Sequence, residues 1–173
     1  MNMNMNLTLA SIFKAMLQIS LLALTAGTAI AQDVVTLKVH HFLPPSSTAH
    51  AKFIVPWCDK IAKESNNRMM CQIYPSMQLG GAPAQLFDQA KDGVADIIWT
   101  VPGYQAGRFT VSEAFELPFI VTSTEKGSRA LWHYATKNAM QEFKGVKPIL
   151  FHLHDGNLLH TARKQIKSLE DFR

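Results

Sequence analysis

Three histidines and an aspartate lie close together near the carboxyl end of the sequence. His152, His154 and Asp155 fall within one short run, and His160 follows it. Residues 148–154 predict a strand, on which side chains two positions apart share a face. Imidazole and carboxylate groups so arranged can bind a metal ion, or they can donate hydrogen bonds to a ligand's carboxylate or hydroxyl group. A purely structural role for the histidines is the third interpretation, and the pattern leaves all three open.

The sequence lacks the motifs of the common hydrolases and nucleotide-dependent enzymes. It contains no G-x-S-x-G elbow, no phosphate-binding loop and no dinucleotide fingerprint. Glu113 and Glu116 form a pair of carboxylates, but no partner acid or pocket accompanies them in the pattern. Asp96 lies in a predicted buried strand, where a structural hydrogen bond is the expected role. We therefore predict a protein that is not an enzyme.

Residues 1–31 have the pattern of a secretory signal. Lys14 precedes an apolar run at residues 16–26, and Ala29 and Ala31 form an A-x-A ending. The run is shorter than the ~20 residues that a membrane span needs, although an uncleaved anchor is the alternative. We predict a signal peptide cleaved after Ala31 and a mature protein exported to the periplasm.

Composition and cysteine content constrain the exported part. A net charge of +4 over 173 residues, without a Lys/Arg block, does not favour nucleic-acid binding. Cys58 and Cys71 are the only cysteines. An even count in an oxidising compartment favours a disulfide between the first helix and the strand after it. Two buried thiols are the alternative, and a metal pair lacks the C-x-x-C spacing.

Residues 78–99 organise the rest of the chain. Gly80 and Gly81 favour a tight loop, Pro83 suits the first turn of a helix, and Gly93 suits a left-handed helix end. The run after Gly93 is short and apolar, as in a strand covered on both faces. With strands predicted at residues 34–41 and 69–74 and a helix at 48–65, the order is β-α-β-α-β, typical of an α/β lobe.

Several motifs resemble the extracytoplasmic solute-binding proteins of tripartite ATP-independent periplasmic (TRAP) transporters, the DctP-like family. They are the QLGG element with its helix and DG turn at residues 78–93, the V-x-DI strand at 94–98, an LPF element at 117–119, and an I-x-S-L-x-D stretch at 166–171. The resemblance implies a periplasmic-binding-protein-like (type II) fold with a mixed, mostly parallel sheet. It implies a first α/β lobe at 32–122, and at 123–173 a helix and crossing strands into an incomplete second lobe.

The carboxyl ends of the strands are the expected place for a ligand in such a sheet. Three loops meet there, at residues 41–42, 102–105 and 154–157, and the resemblance points to the same places. Phe42, Trp99 and Tyr104 are candidate aromatic walls, although a core role is an alternative for each of them. The candidate ligand-binding residues are His41, Phe42, Trp99, Gly103, Tyr104, Gln105, His154, Asn157 and His160.

The sequence departs from the family pattern at the group that would bind a carboxylate. Some relatives carry an arginine where this chain has Leu158, and the other family arginine would lie beyond Arg173. The resemblance implies a receptor that binds an organic acid and delivers it to a TRAP membrane permease, with no cofactor. The alternatives are a secreted metal-dependent hydrolase that uses His152, His154 and Asp155, and a truncated remnant that binds nothing.

Overall fold

The computed structural model describes residues 33–154, 160–162 and 165–172, and its helices and strands lie in one unit, Val35–Arg173. The strands are β1 (Val35–His41), β2 (Met69–Tyr74) and β3 (Ile97–Trp99), and the α-helices are α1 (Val55–Glu64), α2 (Leu86–Lys91) and α3 (Thr124–Asn138). A π-helical turn is found at His50–Ile54, and 3₁₀ turns at Pro83–Gln85, Pro102–Tyr104, Ser112–Glu116, Met140–Phe143 and Leu169–Phe172.

The three strands form a parallel sheet in the order β2-β1-β3. Val39 pairs with Ile73 on one side and Ile97 on the other, and it is 2% exposed. Parallel pairing requires a crossover between strands, and α1 and α2 supply the two crossovers. This confirms the predicted α/β fold with a mostly parallel sheet.

The first helix buries a different face from the one that its apolar spacing indicates. Phe53, Trp57 and Ile61 recur at four-residue spacing, but Phe53 is 44% exposed. The buried side chains are Ile54 and Cys58, and Trp57 packs against them partly buried. The cause is the π-helical turn before Pro56. Proline has no N–H to donate to the preceding turn, and the wider turn accommodates it. The added residue per turn rotates the inward face by about one position.

The predicted disulfide is present. Cys58 on α1 and Cys71 on β2 are bonded, with their Cα atoms 5.6 Å apart, within the usual range for a disulfide. The bond joins a helix to the strand that follows it, and Val39 and Ile54 lie in the same small core.

The segment at residues 78–99 contains the second crossover. Pro83 begins a 3₁₀ turn, α2 follows, and Gly93 ends it with a positive φ of 76°. Leu86 and Phe87 are buried, at 0% and 4% exposure. Asp96 has the structural role that was expected, since its Oδ2 accepts a hydrogen bond from Lys38 N at 2.8 Å.

The second core packs α3 against the loops that follow the sheet. Its buried members are Phe87, Phe109, Leu131, Ala135, Ala139 and Phe143. The helix predicted within residues 123–173 is an α-helix from Thr124 to Asn138, with a 3₁₀ turn after it. Tyr134 and Met140 in this segment are 37% and 40% exposed.

Residues 148–154 do not form the predicted strand. Within the described chain this segment has no hydrogen-bonded neighbouring strand, and a strand needs such a partner. Of the crossing strands expected after residue 154, the described residues 160–162 are irregular. The boundary between lobes near residue 122 stays a prediction. Among the helices that the structure describes, none is both long and apolar enough to cross a membrane.

Candidate functional site

A cavity of about 1430 Å³ opens at the carboxyl end of the sheet. Val39, Phe42 and β3 form one side, and the loops after β3 and after α3 form the others. The lining includes residues 96–102, 115–119, 121–124 and 145–154. Four of the predicted site residues line it: Phe42, Trp99, Tyr104 and His154.

An aromatic wall, made by Phe42, Trp99, Tyr104 and His152, is the main feature of the cavity. The Phe42 and Trp99 rings are stacked with centroids 5.9 Å apart and planes 5° apart, and Tyr104 meets Phe42 edge-on at 5.4 Å. His152 continues the stack, with its ring centroid 5.4 Å from that of Trp99. The wall brings together residues from three separate parts of the chain. A flat ligand can add a further ring to it.

The turn that carries Tyr104 is fixed by its neighbour. Gly103 N donates to Glu116 Oε1 at 3.1 Å, and a Cβ atom at Gly103 would collide with the Glu116 carboxylate. Gly103 was predicted to bind ligand, but it is not a lining residue. Its contact in the structure is with Glu116.

Gln105 points away from the cavity and attaches the same turn to α2. Its Nε2 donates to Ala84 O and, at 3.2 Å, to Asp88 Oδ2. Arg108 adds to this network, because its Nη1 donates to Asp88 Oδ1 at 2.8 Å and lies 3.2 Å from Gln105 Oε1. The guanidinium also stacks on Phe87, 4.3 Å from the ring centroid. These contacts leave Gln105 as a support for Tyr104.

His41 is fully buried and does not line the cavity. Its Nε2 lies 2.9 Å from His50 Nδ1, and its Nδ1 has no hydrogen-bond partner among the residues that the structure describes. Burial, with smaller contributions from the nearby imidazoles of His50 and His40, lowers the pKa of His41 to about 4. His41 is therefore neutral at physiological pH and is positioned under the first loop.

His40 supports the loop that carries the glycine pair. Its Nδ1 lies 2.7 Å from Gln89 Oε1, and its Nε2 accepts a hydrogen bond from Leu79 N at 3.4 Å. Gln89 Nε2 donates in turn to Gly80 O at 3.0 Å. Burial lowers the pKa of His40, against the effect of the Gln89 hydrogen bond.

The three carboxyl-terminal histidines have different surroundings in the structure. Trp99 Nε1 donates to His152 Nε2 at 2.8 Å, and His152 Nδ1 lies 3.3 Å from Leu153 O. Both nitrogens of His152 thus contact protein groups. His154 lines the cavity, whereas His160 is exposed and does not.

Asn157 and Asp155 lie outside the described residues, so the predictions on them stand as made. Across residues 33–154, 160–162 and 165–172, no group of three or more His, Cys, Asp and Glu residues is arranged to bind a metal ion. His152 and His154 are thus not joined by a third ligand within the described chain.

Sequence reasoning missed several lining residues. Phe53, Trp57, Phe115 and Glu116 line the cavity, as does Lys147. The LPF element at 117–119 was identified only as a sequence motif. In the structure its residues are exposed and line the cavity. Exposed apolar side chains next to a pocket are the signal that points to such residues, and it is visible only in three dimensions.

Comparison with known proteins agrees with this architecture. Residues 39–173 match the model of the DctP family, described as bacterial extracellular solute-binding protein, family 7. A TRAP solute-binding protein from Rhodoferax ferrireducens T118, solved with copurified benzoate, is 51% identical with a TM-score of 0.75. That match covers 80% of this chain and 43% of the other, so this chain spans less than half the length of that relative.

Two further solved structures are similar. A marine-metagenome TRAP protein described as specific for aromatic acid ligands, in complex with 3-hydroxybenzoate, is 48% identical over 68% of this chain and 37% of its own, with a TM-score of 0.66. A Bordetella bronchiseptica TRAP protein with bound (R)- and (S)-mandelate is 30% identical over 68% of this chain and 38% of its own, with a TM-score of 0.61. The chain therefore belongs to the DctP family of bacterial extracellular solute-binding proteins.

Proposed function

We propose that this chain supplies one wall of the ligand site in a receptor for aromatic carboxylic acids. The observation that carries the proposal is the aromatic wall, with Phe42 and Trp99 stacked and Tyr104 set edge-on beside them. The relatives that bind benzoate, 3-hydroxybenzoate and mandelate support this ligand class. Offset-stacked and edge-to-face contacts with a flat ring are each worth about 0.5–1.5 kcal/mol beyond the area that they bury.

The charges of the lining suggest how an acid is oriented. Lys147 is the lining residue with a full positive charge, while Asp96 and Glu116 are negative. The aromatic ring then lies on the wall, and the carboxylate points toward the open side of the cavity. A bidentate arginine is the usual partner for such a carboxylate. We propose that the family arginine expected beyond Arg173 fills this role in a longer product.

Membership of the family supports a proposal for the role in the cell. Binding selects a closed arrangement of the receptor, and no covalent step is needed. We propose that residues 1–31 are removed after Ala31, that the mature protein acts in the periplasm, and that it delivers the acid to a TRAP permease. The alternative of a metal-dependent hydrolase is less favoured, since both nitrogens of His152 already contact Trp99 and Leu153.

The proposal is tested by calorimetry and thermal unfolding with benzoate, 3-hydroxybenzoate and mandelate. The 173-residue chain and any longer product of its gene are compared. A ligand that binds only the folded state raises the melting temperature with dose. Trp99→Ala is expected to weaken binding about tenfold or more, because it removes the centre of the stack. Trp132→Ala is the matched control, since Trp132 packs on Phe151 and is not a lining residue.

The outcomes separate the alternatives. Dose-dependent stabilisation that Trp99→Ala abolishes and Trp132→Ala retains supports the receptor. Stabilisation of a longer product alone supports a receptor whose site this chain forms only in part. Stabilisation by Zn²⁺, with no response to any acid in either product, would overturn the proposal and favour the hydrolase. No response to acids or metals in any product would favour a remnant that does not bind.

A further inference from the structure

Glu116 places a carboxylate beside the aromatic wall. Its Oε1 accepts the hydrogen bond from Gly103 N at 3.1 Å, so the group lies next to the residue that precedes Tyr104. No residue that the structure describes donates to Oε2. Glu116 is a lining residue and is exposed to solvent. One oxygen of this carboxylate thus accepts a backbone hydrogen bond, and the other, which lies against Gly103, accepts none from the residues that the structure describes.

Contact with Gly103, in the turn that carries Tyr104, fixes the position of the Glu116 carboxylate. Because a Cβ atom at Gly103 would collide with the carboxylate, the glycine makes room for it. Asp96, the other acidic residue in the described lining, likewise accepts one backbone hydrogen bond, from Lys38 N to its Oδ2. Glu116 differs from Asp96 in its position, because its carboxylate lies against Gly103, next to Tyr104 of the aromatic wall.

We propose that Glu116 determines specificity in this site: it accepts a hydrogen bond from a hydroxyl group on the ligand's ring and excludes a second carboxylate at that ring position. The inference rests on the proposed function. A ligand ring stacked beside Tyr104 presents its substituents to Glu116, while its own carboxylate points away from this negative group. A hydroxyl donates to Oε2 in a charge-assisted hydrogen bond. A second carboxylate meets a like charge instead.

The experiment compares two acids that differ at one position. Isophthalate and 3-hydroxybenzoate carry, respectively, a carboxylate and a hydroxyl meta to the carboxylate that they share. Dissociation constants for both are measured by calorimetry on the wild-type protein, or on the longer product if only that form binds. The quantity of interest is the ratio of the isophthalate constant to the 3-hydroxybenzoate constant, and benzoate serves as the reference acid.

Glu116→Gln removes the charge and keeps an oxygen that accepts from Gly103 N. It is expected to lower the ratio about threefold to tenfold, a range limited by the solvent exposure of Glu116. Glu116→Asp retains the charge and should keep the wild-type preference for the hydroxyl acid. Glu125→Gln makes the same charge change on an exposed residue of α3 that pairs with Arg129, and it should leave the ratio unaltered.

Each outcome decides the question. A ratio that falls only in Glu116→Gln supports the proposal. An unchanged ratio, an equal fall in Glu125→Gln, or rejection of isophthalate by both the wild type and Glu116→Gln would overturn it, even though benzoate binding would leave the proposed function standing. If no aromatic acid binds any form, the proposed function fails and this inference fails with it.

Discussion

The sheet region, residues 35–99, and the loop region, residues 100–154, are built in different ways. The sheet region has three parallel strands in register, two crossover helices and a disulfide. The loop region contains α3 and several 3₁₀ turns, and single side chains determine where its turns lie. In the sheet region the stability is distributed over many backbone hydrogen bonds. In the loop region the position of a whole turn depends on the hydrogen bonds of a single carboxylate.

Glu142 shows this dependence most clearly. Its carboxylate accepts hydrogen bonds from Val111 N at 2.6 Å, from Ser112 N at 3.0 Å and from Ser112 Oγ at 2.6 Å. Burial raises the pKa of Glu142, but the hydrogen bonds from Ser112, Val111 and Thr110 together outweigh it and lower the pKa below its usual value. One residue thus attaches the turn before the cavity lining to the end of the α3 segment. Both regions contribute residues to the cavity lining, so the lining residues of the two regions should respond differently to mutation.

The largest effect is expected from the disulfide of the sheet region. Changing both Cys58 and Cys71 to alanine opens a loop of 13 residues' separation and should lower the free energy of unfolding by about 3 kcal/mol. Urea unfolding measures this loss. A reducing agent should reproduce it in the wild type and have no effect on the double variant. A loss below about 1 kcal/mol would contradict the importance given to this bond.

Glu142→Ala tests the loop region. It leaves two backbone N–H groups and the Ser112 hydroxyl without their acceptor, so we expect a loss of about 2 kcal/mol in the free energy of unfolding. Hydrogen exchange at the amides of Val111 and Ser112 should become faster, while the amides of β1 should keep their protection relative to global unfolding.

Glu125→Ala is the matched control for Glu142→Ala. The Glu125 carboxylate pairs with Arg129 at an exposed i,i+4 position, so Glu125→Ala should change the free energy of unfolding by less than about 0.5 kcal/mol. If Glu142→Ala accelerated hydrogen exchange equally in β1 and at Ser112, the two regions would unfold as one. That result would contradict the difference in stability proposed between them.

An effect of similar size to that of Glu142→Ala is expected from pH on the sheet region. The pKa of His41 is about 4 in the folded protein, against about 6.5 in the unfolded chain. Between these values the unfolded state binds a proton that the folded state does not, so stability is present above pH 6.5 and is lost as pH falls toward 4. About 2 kcal/mol should be lost between pH 7 and pH 5.

His41→Gln should flatten this pH dependence in urea unfolding, and His133→Gln, at an exposed position of α3, should not. Residual slope in His41→Gln is expected from His40, whose pKa burial also lowers. A slope that His41→Gln leaves unchanged would show that His41 is not the group responsible.

The sequence predicted the sheet region well because its signals are local. The glycine at the end of α2, the prolines at helix starts and the short apolar strands each report on neighbouring residues, and the even cysteine count predicted the disulfide. Elements that depend on distant partners were predicted less well. Residues 148–154 have the composition of a strand but lack a neighbouring strand within the described chain, and the inward face of α1 was shifted by a π-helical turn.

The predictions about the site divide in the same way, into those that local signals supported and those that depended on distant contacts. The sequence by itself determined that the chain folds as an α/β unit, that Phe42, Trp99 and Tyr104 lie at or after the carboxyl ends of strands, and that no common catalytic motif is present. Only the tertiary structure decided that Phe42 stacks on Trp99, that Tyr104 lies edge-on to Phe42, and that His152 joins Trp99. It also decided that His41 is buried and that Gln105 supports the turn from behind. The reason is that side-chain direction and burial depend on contacts between residues far apart in sequence, such as Gly103 with Glu116, which no local pattern encodes.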